Sequence, residues 1–325
     1  MLIIRVAQVV KMRKVLIVSV FLAVLSVTVG FVFIQQPVLC AQTKTSLREY
    51  ILTADNKPTA ALTGLLHTLE LSHDESLVSI VAITQKAWLR KPGQERWDLE
   101  DEFNERRKEF IPYFKALGLI DTISPKKKSY CSLVLLGATL SSVRNRFNFA
   151  IELWNQGVRF ETIVALGSQR PLNAETESVA TLFDYHNKIL PIRADWEPLG
   201  TIPQVEIDMM KMVIDQAIMP EAMRTLPITV IDAPMKKNAQ GELVRATTPD
   251  TVELWLASKP KPGNCLVVSN QAYVGYQDAV MRTVLPHEFV VETVGKSFDE
   301  DTLNCAVVLD SLARWLYQEL VAIKN

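Results

Sequence analysis

From residue 132 onward the chain alternates two kinds of segment. One kind is short and apolar without interruption: "SLVLLGA" (132–138), "FETIVALGS" (160–168), "ITVIDAP" (228–234), "CLVVSN" (265–270) and "FVVETVG" (289–295). Strands with no polar face belong in a parallel sheet covered on both sides. The other kind repeats its apolar residues every three or four positions. In "SVRNRFNFAIELWNQG", Val143, Phe147, Ala150, Ile151 and Trp154 make one stripe and Gly157 is placed to end it. "PQVEIDMMKMVIDQA", "TTPDTVELWLAS", "GYQDAVMRTVL" and a last segment over about 301–323 read the same way, the second of these with Thr248 as N-cap and Pro249 at its first helical position. Strand and helix in alternation predict an α/β fold: a doubly wound, mostly parallel five-stranded sheet, Rossmann-like.

Before this lies a region of helical period only. "TAALTGLLHTLEL", "ESLVSIVAITQKAWL" and "DLEDEFNERRKEFIPYFKALG" carry apolar residues three and four apart, the last interrupted by Pro112. The organisation expected is therefore a segment 1–41, a helical region 42–123, a basic turn-rich linker 124–130, and an α/β domain 131–325. The stretch 169–202 reads as an insertion with its own short helix over 174–186.

Composition changes this picture at the N-terminus. Overall the chain is ordinary for a folded protein, 48% hydrophobic and 22% charged, with a formal net charge of −1 that argues against a nucleic-acid binder. Residues 1–41, however, hold Arg5, Lys11, Arg13 and Lys14 and no acid, and these cations precede the uncharged apolar run 15–34. That is the pattern of an export signal with a cut after Ala41, or of an uncleaved membrane anchor about 20 residues long. Either reading makes the protein exported, periplasmic or secreted. Cys40 belongs to this segment; Cys131, Cys265 and Cys305 remain, with the first two read as small buried residues at strand starts.

The chemistry is read from geometry, because familiar signatures are missing. No G-x-G-x-x-G, phosphate loop, G-x-S-x-G or H-E-x-x-H occurs, and His67, His73, His186 and His287 lack metal-ligand spacing, so no metal is expected. In a parallel sheet, the loops that follow the strands converge on one edge. Here they carry Gly137, Ser168, Arg170, Asp232, Asn270 and Tyr273, the expected ligand-binding set. Gly137 would let backbone approach a ligand and the next helix would offer free amides to an anion, although Ser141 or Ser142 can cap it instead. Arg170 would clamp a carboxylate or phosphate, and Tyr273 would pack on a flat part of the ligand. Glu206, Thr251 and Arg282 are secondary candidates; Glu206 suits a first helical turn, and Arg282 stands four residues after Asp278, as a helical ion pair would.

The order of these pieces resembles the YdcF/SanA-like family of bacterial envelope proteins over roughly residues 131–295. "VLLGA", "VALGS", Glu206 in "VEIDMMKM", Thr251 in "TTPDT", and Ser269-Asn270 in "VVSNQAYVGYQ" stand where that family has its glycines, acid, Asn-Thr start and Thr-Ser pair. Ala138 replaces a glycine, and Tyr273 and Tyr276 occupy the histidine and arginine positions of the last motif. The resemblance implies a Rossmann-like sheet, a nucleotide-like or S-adenosylmethionine-like ligand, and a role in envelope metabolism. Losing the histidine removes its best titratable group, so binding is the reading that survives.

Three functions are compatible with the sequence. The first is an exported protein binding a small anionic or nucleotide-like ligand at the sheet edge, with cofactor and reaction unknown. The second is a metal-assisted phosphate or pyrophosphate ester hydrolase using Asp232 and Glu206. The third is a non-enzymatic scaffold that docks a partner through 44–120.

Overall fold

The computed structural model describes residues 44–324 apart from Pro92 and Leu199. The expected export segment, with its run 15–34, lies outside these residues. Among the described residues no helix is long and apolar enough to cross a membrane.

Three helices come first, α1 (Ala60–Thr68), α2 (Leu77–Trp88) and α3 (Arg107–Ala116). Thr59 and Ser76 cap α1 and α2 through side-chain oxygens, and α3 runs through Pro112 unbroken. The α/β part then follows as β1 (Ser129–Leu136), α4 (Leu140–Asn155), β2 (Arg159–Ser168), α5 (Val179–Leu182), α6 (Glu206–Gln216), α7 (Glu221–Arg224) and β3 (Ile228–Ala233). A small hairpin of β4 (Lys236–Lys237) and β5 (Leu243–Val244) leads to α8 (Thr248–Ala257), β6 (Gly263–Asn270), α9 (Val274–Val284), β7 (Phe289–Lys296) and α10 (Cys305–Lys324).

The five long strands form one all-parallel sheet in the order β3-β2-β1-β6-β7. All five apolar runs are strands of that sheet. Alternate residues serve opposite faces. Leu133 and Leu135 face a core with α4, α6 and the 182–196 stretch, while Val134 and Leu136 join Val252, Trp255 and Met281 of α8 and α9. The chain winds outward from β1 through β2 to β3, then returns to β6 on the other side of β1. A crevice opens beyond the strand ends at such a reversal.

The helical region is a further layer of the same compact unit, which holds all the described residues. Its apolar faces close on the far side of α9 and α10: Leu62, Leu65, Ile80, Phe110 and Phe114 share a core with Ala279, Val308, Leu309, Leu312 and Leu316. Buried Gln271 ties the layers together, donating from Nε2 to the carbonyls of Gly118 (3.0 Å) and Asp121 (2.6 Å).

Some local expectations shift. The helix expected over 174–186 is a single turn, because Asn173 Oδ1 takes the amides of Glu175 and Thr176 and holds the chain in turns before it. The N-cap of α8 is Thr247, not Thr248, in a capping box with Asp250. Strand β1 starts inside the expected linker, where Tyr130 is buried and its hydroxyl donates to Glu292 Oε2 at 2.6 Å. Cys131, Cys265 and Cys305 are unbridged thiols; Cys265 lies opposite Ser132 in register, one residue away from Cys131.

Candidate functional site

At the strand reversal lies a pocket of about 370 Å³, lined by the ends of β1 and β2, the starts of α8 and α9, Arg90, Glu95 and Arg96, and α10. Such a volume suits a small-molecule ligand. Of the residues expected from sequence, Gly137, Ser168, Arg170, Tyr273, Glu206 and Thr251 line it.

Their roles differ from the sequence reading. A Cβ on Gly137 would lie 2.9 Å from the Glu206 carboxyl group and 3.0 Å from the Leu166 carbonyl oxygen. The missing side chain therefore makes room for the protein's own acid. Glu206, the first residue of α6, accepts from the Ser168 hydroxyl (2.7 Å) and amide (3.1 Å). Gly137→Ala is expected to cost about 1–3 kcal/mol by overpacking this contact, read as a lower urea midpoint at unchanged slope.

Arg170 is a clamp, but the carboxylate it holds is internal. Its two terminal nitrogens donate to both oxygens of Glu177, at 2.9 and 3.0 Å, and its Nε lies 3.5 Å from Glu206. Burial lowers its pKa, yet the bonds to Glu177 and the charge of Glu206 outweigh that and raise it. Glu177 also accepts from the amides of Leu140 (2.9 Å) and Asn173 (2.7 Å). The first amide of α4, expected to meet an anion, thus already has one.

Asn270 stands behind the pocket, its Oδ1 accepting from Arg146 Nε at 2.6 Å. Asp232 and Arg282 lie outside the pocket lining. Asp232 projects from the edge strand β3 into solvent, where Gln169 Nε2 donates to it at 2.5 Å. Arg282 bonds Asp278 at 2.7 Å, the expected helical pair, and also reaches Glu319 on α10 at 2.6 Å.

What sequence reasoning missed is most of the positive charge. Arg90, Arg96, Arg146, Arg245 and Arg314 line the pocket beside Arg170. Arg314 makes two 3.0 Å bonds to Asp310, which also lies 3.7 Å from Arg90, and Arg245 meets Glu95 at 3.2 Å. Arg96 lies over the Tyr273 ring, its guanidinium carbon 3.9 Å from the ring centre. Arg146 is buried, and one terminal nitrogen donates to the carbonyls of Leu136 (2.8 Å) and Gly137 (2.9 Å). Burial, then the like charge of Arg96, pushes its pKa down to about 10, leaving it a cation at neutral pH.

One signal for Arg146 was in the sequence: it falls three residues after Val143 and four before Ala150, on the apolar stripe itself. The pocket is thus a polar recess lined by six arginines. Compared with protein-family models and with curated proteins, the chain matches none.

Proposed function

We propose that this protein binds a small anionic ligand in the arginine-lined pocket at the sheet edge. The observation that carries the reading is Arg146, a buried guanidinium lining the pocket with carbonyl and amide oxygens as its only protein acceptors among the described residues. A buried cation without a carboxylate is costly, and an incoming anion relieves that cost. The pocket's place at the strand reversal supports the same reading. With the cationic, apolar N-terminus, the setting we infer is the bacterial envelope, as the YdcF/SanA-like resemblance implies.

The two other readings have less support. Glu206 is engaged by Ser168 and Arg170, and Asp232 faces solvent away from the pocket, so the acids of the hydrolase reading do not meet at one place. The apolar faces of 44–120 are used internally against α9 and α10.

Thermal unfolding of the full-length protein in pyrophosphate, AMP and citrate, against sodium chloride at equal ionic strength, tests the proposal. An anion at about a hundred times its Kd stabilises by about 2.7 kcal/mol, a rise of several degrees. That rise is expected to disappear in Arg146→Met. A chain whose midpoint no anion raises above the chloride control does not have this function.

A further inference from the structure

Resting on that anion-binding reading, the charge pattern of the pocket points to a narrower ligand class. We propose that the pocket takes a phosphate monoester whose dianionic head sits between Arg96 and Arg146 and whose body donates a hydrogen bond to Gln277.

The six arginines of the lining face four carboxylates that line it or pair with them: Asp310 with Arg90 and Arg314, Glu95 with Arg245, and Glu177 and Glu206 with Arg170. Two positive charges remain, and they belong to particular residues. Neither Arg96 nor Arg146 has an ion pair among the described residues, and Arg96 is near enough to Arg146 to depress its pKa. Two unpaired guanidinium groups lining one recess ask for one group bearing two negative charges. A phosphate monoester carries close to two at neutral pH and offers three acceptor oxygens, whereas a diester carries one.

The donors on both arginines are free to serve it. Arg96 Nε is buried without a partner, and Arg146 uses Nε and one Nη, leaving the other Nη with no protein acceptor among the described residues. Arg96 is held in place by its own turn, where Glu95 and Asp98 form a capping box, and by the Tyr273 ring beneath it. The fork of the Arg96 guanidinium matches phosphate oxygens in pairs, and the remaining Nη of Arg146 has both hydrogens to offer the same head group.

Gln277 supplies the second contact. It lines the pocket from α9, is 6% exposed, and its Oε1 is buried with no hydrogen-bond partner among the described residues. A buried acceptor left unmet is costly. Phosphate oxygens cannot satisfy it, so the donor has to come from a hydroxyl or amine elsewhere on the ligand. Phosphorylated sugars and nucleoside monophosphates carry both parts.

Titration calorimetry on the full-length protein with AMP, cyclic AMP, glucose 6-phosphate, inorganic phosphate and malonate tests this. AMP and glucose 6-phosphate are expected to bind at least about tenfold tighter than cyclic AMP, which has one charge, and than malonate, a dicarboxylate. Arg96→Gln, which breaks no ion pair and is checked by its unfolding curve, is expected to weaken AMP about tenfold. Gln277→Leu is expected to weaken AMP and glucose 6-phosphate about tenfold while leaving inorganic phosphate unchanged, a difference that a structural role alone does not produce. Equal affinity for AMP and cyclic AMP, or tighter malonate, overturns the phosphate monoester and leaves the anion pocket standing. Failure of every anion to bind removes both.

Discussion

Glu177→Ala is expected to lower stability by about 3–5 kcal/mol, since it strands the buried Arg170 guanidinium without its two-pronged partner. It also leaves the amides of Leu140 and Asn173 without an acceptor. Chemical denaturation of the variant measures the loss. The double replacement Arg170→Met with Glu177→Leu is expected to recover part of it, because removing both charges abolishes the stranded guanidinium, while the two amides stay unmet and Glu206 loses its cation. If the double variant is as unstable as the sum of the singles, the pair is not what makes Glu177 matter. The single variant is also expected to lose the anion-induced rise in midpoint, as Glu177 fixes the wall formed by Arg170, Ala138 and the start of α4.

The second large effect is at the other side of α9. Asp278 and Glu319 are buried carboxylates, and Arg282 reaches in from the surface to donate to both. Glu319 keeps Trp315 Nε1 at 3.1 Å and Arg48 at 3.5 Å; Asp278 has no other cation within ion-pair distance among the described residues. Arg282→Ala is therefore expected to cost about 3 kcal/mol at neutral pH. Burial already raises the Asp278 pKa despite Arg282. The folded protein then takes up this proton at a higher pH than the unfolded chain does. Acidification through the raised pKa favours the folded state, and the charge penalty returns as pH rises above it. The cost of Arg282→Ala is accordingly expected to be largest near neutrality and to shrink as pH falls, measured by urea melts across that range. A cost that is flat with pH would mean that the lost arginine stem, and not the stranded acid, is responsible.

The sheet was legible because its strands are apolar on both faces, a pattern few other elements share. "SLVLLGA" and "CLVVSN" have no polar side, so each required cover above and below. The edge at which loops converge followed from parallelism alone, and it brought Gly137, Ser168, Arg170 and Tyr273 together. Less legible was what each residue touches. Gly137 and Arg170 were read as facing a ligand, whereas Glu206 and Glu177 occupy those places from elements 36 residues or more, and seven residues, further on. A carboxylate in an irregular insertion has no period to betray it, and Glu177 sits among polar neighbours that read as solvent. Arg90, Arg96, Arg245 and Arg314 were hidden for a related reason: Arg90 and Arg96 stand in a charged stretch, Arg245 in a loop and Arg314 on a long helix, and only the fold brings them to one recess. Asp232 and Arg282 show the converse, since a strand end at the rim of the sheet and the far end of a helix do not reach the crevice.

That first layer has a bearing on how the protein is made. Helices α1 to α3 leave the ribosome earliest among the described elements, yet the surface they rest on includes α10, some two hundred residues later in the chain. Contacts so distant in sequence form late, and a nascent chain lacking residues 305–324 has greasy helix faces with no permanent partner. Helices α1 to α3 must wait, unsettled, until residues 305–324 have emerged, and the cationic recess comes into being only when α10 arrives and locks this first layer against the sheet.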